Sequence, residues 1–410
     1  MHDFDTLIVG AGHGGAAAAI ALRQLGYTGS LALLGEERDP PYERPPLSKD
    51  YLAGEKPFDR MLIRPLSFWT EREVTLLPGR RAVAVDAAGR KVTLAGGEQV
   101  TYGRMIWATG GAPRQLSCAG GDVAGVHAIR SRADVDLLAS ELGSASRVVV
   151  IGGGYVGLEA AAVLTRLGKQ VTVVEAQDRV LSRVAGEPLA RFYEAQHRAH
   201  GVDIRLGAKV DCIETRDGRA CGVRLAGGEI LAAEIIVVGI GITPAVAPLI
   251  AAGALGSDGV DVDEHCRTSL ADIYAVGDCA AHVSRFAGGA RVRIESVQNA
   301  TDQAAAAARH ISGQPAPYDA VPWFWSNQYD LRLQTVGLST GHDRMIVRGD
   351  VASRSFSVVY MKQGRVIALD CVNATRDYVQ GRKLVESGFA GDADALADTA
   401  RPLKALMTAT

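Results

Sequence analysis

The chain has 410 residues, 47% hydrophobic and 22% charged, with a net charge of −2. That length accommodates two or three domains with real cores, and the near-neutral balance gives no support for general attraction to nucleic acid or to a membrane surface. No apolar run approaches the ~20 residues needed to cross a bilayer, and Met1 to Thr6 carries no basic segment, so a signal peptide is not expected.

Leu7 to Gly15 reads L-I-V-G-A-G-H-G-G, an apolar strand and then G-x-G-x-x-G opening an Ala-rich helical stretch. In that order Gly10 makes the tight turn, Gly12 lets the backbone approach a pyrophosphate, and Gly15 lets helix and strand pack closely. The helix N-terminus then attracts the phosphates. The run L-A-L-L-G ends at Glu36, 26 residues after Gly10, where an acid can accept hydrogen bonds from an adenosine ribose. The prolines of Pro40 to Lys49, P-P-Y-E-R-P-P-L-S-K, forbid helix and hold an extended loop. Arg44 and Lys49 on that loop fit either solvated surface charge or contact with a pyrophosphate and a redox ring. Val74 to Gly103 reads as a small antiparallel insertion. Arg104 to Gly111, R-M-I-W-A-T-G-G, is a strand that places Ala108, Thr109 and Gly110 at its carboxyl end, where ligands bind in open α/β sheets. Residues 130–142 look helical, with Arg130 at the start.

The glycine pattern then repeats. Val148 to Glu159 reads V-V-V-I-G-G-G-Y-V-G-L-E, with Gly152, Gly154 and Gly157 in the three positions, and V-T-V-V ends at Glu175, 23 residues after Gly152. This second unit, about 146–245, closes with a buried strand and the turns at Gly239 and Gly241. Ala271 to Ala280 is a strand delivering Asp278, and 299–311 is a strong helix by propensity. From 321 onward aromatics cluster, 354–373 alternates as strands, and a separate α/β cap domain is expected. Two complete fingerprints imply two dinucleotides and an α/β fold with two Rossmann-like domains.

Six cysteines form no C-x-x-C and suggest neither zinc nor a disulfide scaffold; free thiols in a reducing cytosol are expected. His197 and His200 share a helix with no further ligand in view, so an exposed helix face is expected and no metal. Gly337 to Gly341 matches G-x-S-x-G, but the following H-D-R-M-I-V-R-G is a poor helix, so hydrolysis is not expected.

The ordered set G-A-G-H-G-G at 10, Y-E-R-P-P-L-S-K ending at Lys49, A-T-G at 108, G-G-G-Y-V-G-L-E ending at Glu159, Y-A-V-G-D at 274, R-I-E-S-V-Q-N-A at 293 and W-F-W-S at 323 resembles the FAD-dependent ferredoxin or rubredoxin reductases of the glutathione-reductase fold, the putidaredoxin-reductase-like group. The resemblance covers almost the whole chain. It implies a discontinuous FAD domain, 1–113 and 246–320, an NADH domain, 114–245, and a C-terminal interface domain, 321–410. It implies FAD on the first fingerprint, with Gly14 near the pyrophosphate, Glu36 on the ribose, and Arg44, Lys49, Ala82 (through its backbone), Arg130, Asp278 and Val297 as further contacts. Asp278 would reach the ribityl chain and Val297 the isoalloxazine edge. NADH would occupy the second fingerprint. Glu175 would bond its free ribose hydroxyls and repel the extra phosphate of NADPH, with Arg179 and Arg183 softening that choice.

Hydride transfer needs the two rings stacked at about 3–3.5 Å and little proton chemistry from the protein. Lys49 and Glu159 are expected to pair beside the flavin's reactive nitrogen, with Tyr155 flanking the nicotinamide. Trp325, with Trp323 second, would face the flavin region or else fill an interdomain core. Disulfide reductases and peroxidases of this fold place a redox cysteine after the second strand of the FAD domain. Positions 37–60 here hold none, which excludes a thiol relay at that place and leaves direct transfer to a small iron–sulfur protein. The resemblance implies an acidic 2Fe–2S ferredoxin, reduced one electron at a time, that feeds a haem-thiolate monooxygenase or a ring-hydroxylating dioxygenase. Residues 321–383 hold nine Lys/Arg against five Asp/Glu, a modest excess for docking such a partner. A cytoplasmic monomer is expected. The rival readings are an NADH-dependent reductase of rubredoxin or a small molecule, and a flavin signalling protein like the apoptosis-inducing factors.

Overall fold

The computed structural model describes residues 2–407, and the chain divides into two compact units. The first comprises Met1–Arg44, Phe58–Ala112 and Thr243–Pro322. Its sheet runs, in spatial order, Val74–Leu77, Leu31–Leu34, His2–Val9, Gln99–Trp107, Lys91–Leu94 and Ala82–Asp86, with Ile273–Ala275 also pairing with Gln99–Trp107. The run L-A-L-L is buried at every position, as a parallel strand covered on both faces must be. Leu7, Val9 and Trp107 pack one face, while Ile8, Leu33 and Leu22 pack the other with the Ala-rich helix His13–Gln24.

Val74–Leu77 corrects the expected insertion. It is a parallel edge strand beside Leu31–Leu34. The helix Leu66–Glu71, anchored by buried Trp69, carries the chain over as a crossover, which parallel pairing requires. Only Ala82–Asp86, Lys91–Leu94 and Gln99–Trp107 form the antiparallel part.

The second unit comprises Pro45–Pro57, Pro113–Ile242 and Trp323–Thr410. It contains a parallel sheet ordered Asp203–Arg205, Gln170–Val174, Arg147–Ile151, Ile235–Val238, Val126–Ala128. It also contains an antiparallel sheet ordered Trp323–Gln328, Leu331–Gly337, Arg365–Val372, Ser355–Lys362, Arg344–Asp350, followed by the helix Thr375–Ser387. Contact grouping therefore differs from the sequence division in two respects. Pro45–Pro57 groups with the second unit because Ser48 and Lys49 bond Glu159, Tyr51 bonds Asp136, and Glu55 pairs with Arg166. The C-terminal sheet groups there too, because Ser326 bonds Glu159, Gln328 bonds His197, and the Gly186 N–H donates to the Tyr360 hydroxyl. The expected helix at 130–142 is Arg132–Leu142, since Ser131 caps it with a capping box and leaves Arg130 in the preceding turn. Among the described residues no helix is long and apolar enough to cross a membrane.

Candidate functional site

Gly10 has φ +112°, a conformation L side chains rarely adopt, and an added Cβ would lie 2.3 Å from the Ala108 carbonyl oxygen. A Cβ on Gly15 would lie 1.8 Å from the Gly10 carbonyl oxygen. On Gly12, by contrast, a Cβ would meet only Arg44 Nε at 3.8 Å, so this side of the loop is open. The helix His13–Gln24 begins at Gly12 with no side-chain cap and no acid in its first turn. Ser131 caps Arg132–Leu142 and Ser296 caps Val297–Ile311, whereas Glu187–Ala199 and Thr375–Ser387 also lack a side-chain cap but carry an acid in the first turn. Uncapped amides beside an open glycine face and an arginine suit a pyrophosphate.

Gly14 packs this helix against Val276 and Ala300. Arg44 pairs with Glu37 and lies over the Tyr42 ring at 5.3 Å. Burial works against its charge, but Tyr42, Glu37 and Asp278 outweigh that and raise its pKa. The Thr109 hydroxyl donates to the Ala245 carbonyl at 2.9 Å and the Ala245 N–H donates to the Gly110 carbonyl, so A-T-G is braced at the strand end. Asp278 sits in the short turn after Ile273–Ala275, with its carbonyl accepting from Arg293 at 3.0 Å. Val297 opens the Ser296-capped helix, and Ala82 opens an edge strand. Glu36 stands at the end of its strand, 69% exposed, 3.8 Å from Arg81.

The second loop repeats the construction. Gly152 has φ +107°, and its Cβ would lie 2.5 Å from the Gly239 carbonyl oxygen; that on Gly157 would lie 2.2 Å from the Gly152 oxygen. Gly154 is open and begins the uncapped helix Tyr155–Arg166. Glu175 accepts from the Gly153 N–H at 2.7 Å and the Gln177 N–H at 2.8 Å. Gly241, φ +101°, lies beside Arg183 and Arg114. Arg179 is turned to Asp178 and the Ser182 carbonyl. Arg130 belongs to this unit, immediately before Ser131.

Glu159, in the second turn of Tyr155–Arg166, is 3% exposed. Its Oε2 accepts from Lys49 Nζ and Ser48 Oγ, each at 2.6 Å, and its Oε1 accepts from Ser326 Oγ at 2.6 Å. Lys49 also donates to the Pro45 carbonyl at 3.1 Å. Three donors on one buried carboxylate hold it in place, and with it the lysine. Tyr155 packs on Phe324 with centroids 4.7 Å apart, and Trp325 lies beside Trp323 and Phe324. Burial raises the Tyr155 phenol well above its ordinary value, so it stays neutral.

Sequence reasoning missed Ser48 and Ser326, although both sit inside the motifs P-L-S-K and W-F-W-S. It also misplaced His197. That side chain is 0% exposed rather than on a solvent face, held by Gln328 at 2.8 Å and Tyr329 at 3.0 Å. Among the described residues no group of three His, Cys, Asp or Glu could hold a metal. Cys279 is buried and its thiol is pushed up to about 11 by that burial, which leaves it unreactive.

Residues 4–304 match the pyridine nucleotide-disulphide oxidoreductase family and 323–407 the reductase C-terminal family. The chain is 60% identical to the 5,5'-dehydrodivanillate O-demethylase ferredoxin reductase subunit of Sphingobium sp., over 100% of both chains. It is 56% identical to a ferredoxin–NAD(P)(+) reductase of Sphingomonas sp., over 99% of this chain and 98% of that protein. A covalent putidaredoxin reductase–putidaredoxin complex contains a chain that superposes with a TM-score of 0.95 at 37% identity, covering 100% of this chain and 98% of that one.

Proposed function

The chain belongs to the pyridine nucleotide-disulphide oxidoreductase family, with the fold of putidaredoxin reductase, and from that premise we propose that it passes electrons from NADH through FAD, singly, to a 2Fe–2S ferredoxin that feeds an oxygenase. It is a ferredoxin reductase with FAD and NAD(H) as cofactors. The observation that carries the specific reading is the ion pair between Lys49, on the Pro-rich segment, and the buried Glu159, on the helix that opens from the second glycine loop.

Bound FAD supplies the step from two-electron to one-electron chemistry. Gly10, Gly12, Gly14 and Gly15 would cradle its pyrophosphate, Arg44 would neutralise it, and Glu36, Ala82, Ala108, Thr109, Gly110, Asp278 and Val297 would complete its seat, with Arg130 and Trp325 as the further contacts that the family resemblance implies. Gly152, Gly154, Gly157, Gly239 and Gly241 cradle NADH, and Tyr155 flanks its nicotinamide. Lys49 would place a positive charge at the redox ring. Glu159 holds that lysine and would lie near the carboxamide of NADH. Glu175 favours NADH: its carboxylate repels a ribose phosphate, while Arg183 at the Gly241 turn moderates the exclusion.

Positions 37–60 hold no cysteine, so no thiol relay intervenes and the ferredoxin is reduced directly. The excess of Lys/Arg over 321–383 favours an acidic partner. The relative named as an O-demethylase subunit supports an O-demethylase as the terminal oxygenase. The six free cysteines suit a reducing cytoplasm, where we place the protein as a monomer. Anaerobic stopped-flow mixing with NADH, then with a 2Fe–2S ferredoxin, tests the reading. Rapid bleaching of the flavin band followed by fast recovery is expected. Bleaching without recovery would redirect the search to rubredoxin or a small molecule, and slow bleaching with a long-lived charge-transfer band would favour a signalling role.

A further inference from the structure

Behind the Lys49–Glu159 pair, within the second unit, lies a continuous hydrogen-bonded chain. The Tyr329 hydroxyl is 3.0 Å from His197 Nδ1, and His197 Nε2 is 2.8 Å from Gln328 Oε1. Gln328 Nε2 is 3.2 Å from Ser326 Oγ, which is 2.6 Å from Glu159 Oε1. His197, Gln328 and Ser326 are all buried. Ser326 and Gln328 alternate on one face of the strand Trp323–Gln328, as period two requires.

Chemistry fixes the direction of every bond. An amide oxygen only accepts, so His197 Nε2 carries the proton and Nδ1 accepts from Tyr329. An amide nitrogen only donates, so Ser326 receives that bond and directs its own proton to Glu159. All donors therefore point toward one carboxylate. The arrangement needs a neutral imidazole, and burial, with His200 adding to it, pushes His197 down to about 4. His200 stacks on Tyr329 at 3.7 Å and closes the outer end of the chain.

We propose that Ser326, Gln328 and His197 are positioning residues that hold Glu159 by Oε1, leaving Oε2 for Ser48 and Lys49, and so fix where the lysine ammonium stands during electron transfer from NADH. The inference rests on the reading of Lys49 and Glu159 given above. In a low-dielectric interior one oriented donor to a charged acceptor is worth roughly tenfold or more in the property it controls.

Three variants of the FAD-loaded protein test it: Ser326→Ala, Gln328→Glu and Glu159→Gln, with flavin content, flavin reduction by NADH and nitrogen-15 spectra of His197 as readouts. Gln328→Glu keeps the shape but accepts at both ends, so the serine hydroxyl turns away from Glu159. Both Ser326→Ala and Gln328→Glu are expected to retain FAD and to lower the limiting reduction rate by about tenfold, with little change in the NADH concentration for half-saturation. His197 is expected to be the neutral Nε2–H tautomer in the parent protein and the imidazolium in Gln328→Glu. A neutral Nδ1–H tautomer in the parent reverses the chain and overturns the proposal. If Glu159→Gln slows reduction while Ser326→Ala does not, positioning alone fails. An unchanged rate in Glu159→Gln removes the role of Glu159, and the inference falls with it.

Discussion

The two glycine loops share a backbone and differ in what surrounds it. Each leaves a helix end without a side-chain cap and opens one glycine face. Around the first, the helix is Ala-rich with no acid in its first turn; Arg44, beside the open Gly12, arrives from another segment and is tied to Glu37. Around the second, the helix itself carries Glu159 into the interior, and the strand-end acid Glu175 is already bound by backbone amides. A carboxylate is kept in an interior only where it is paired and hydrogen-bonded, and Glu159 is held there by Lys49, Ser48 and Ser326. The first loop therefore reads as a seat, and the second as a seat with a fixed charge pair attached.

Breaking the glycines gives the largest separation. Gly10→Ala sets a Cβ against the Ala108 carbonyl at a positive φ, and the purified protein should be colourless, with FAD incorporation lost. Gly152→Ala makes the equivalent clash with Gly239 but should keep its flavin, while the NADH concentration needed for half-maximal reduction rises at least about tenfold. Loss of flavin from both variants would remove the assignment of separate ligands. Next in size is Lys49→Met, which should slow flavin reduction about a hundredfold with flavin content unchanged. It also strands Glu159, so the melting temperature should fall, more than for removal of the exposed Arg81 beside Glu36. A reduction rate equal to the parent's would sink the catalytic role of Lys49.

The glycine turns were legible because each answers to a local demand: a positive φ at Gly10 and Gly152 and a backbone contact that excludes Cβ. What surrounds the charge pair was not, because nothing local encodes it. Ser48 lies 111 residues from Glu159 and Ser326 lies 167, so spacing could not show that both hydroxyls converge on one carboxylate. His197 illustrates the same limit. Its helical neighbours read as a polar face, but the face is set by Gln328, 131 residues away on another strand. The parallel pairing of Val74–Leu77 was hidden for a different reason, since a four-residue alternation is the same in either direction and the crossover helix decides.

Coenzyme choice sharpens the comparison further. Glu175→Gln keeps a group that can accept from the Gly153 amide but removes the charge that repels a ribose phosphate. The ratio of kcat/KM for NADH over NADPH should fall about tenfold, while Glu36→Gln at the first loop should leave that ratio unchanged. Equal responses at the two positions would show that the acids do not serve different ligands. A parent enzyme that already uses NADPH as well as NADH would contradict the role given to Glu175.

The smallest effect concerns how the second unit braces the segment that follows Glu175. Tyr360 accepts from the Gly186 N–H at 2.9 Å and donates to the buried Asp370. Burial raises Asp370 to about 7, against roughly 3.9 for an unfolded aspartate. The folded state therefore keeps a proton that the unfolded chain releases between those values. The stability this contributes is complete below about pH 3.9 and is lost as pH rises through about 7. Asp370→Asn mimics the protonated acid at every pH and still accepts from Tyr360. Its melting temperature should match the parent's near pH 4, exceed it by a widening margin as pH rises, and hold a constant margin above about pH 7. A margin independent of pH would mean that Asp370 is ionised in the folded protein. Asp370 would then be a further buried charge in this unit, as Glu159 and Glu194 are, rather than part of a neutral brace.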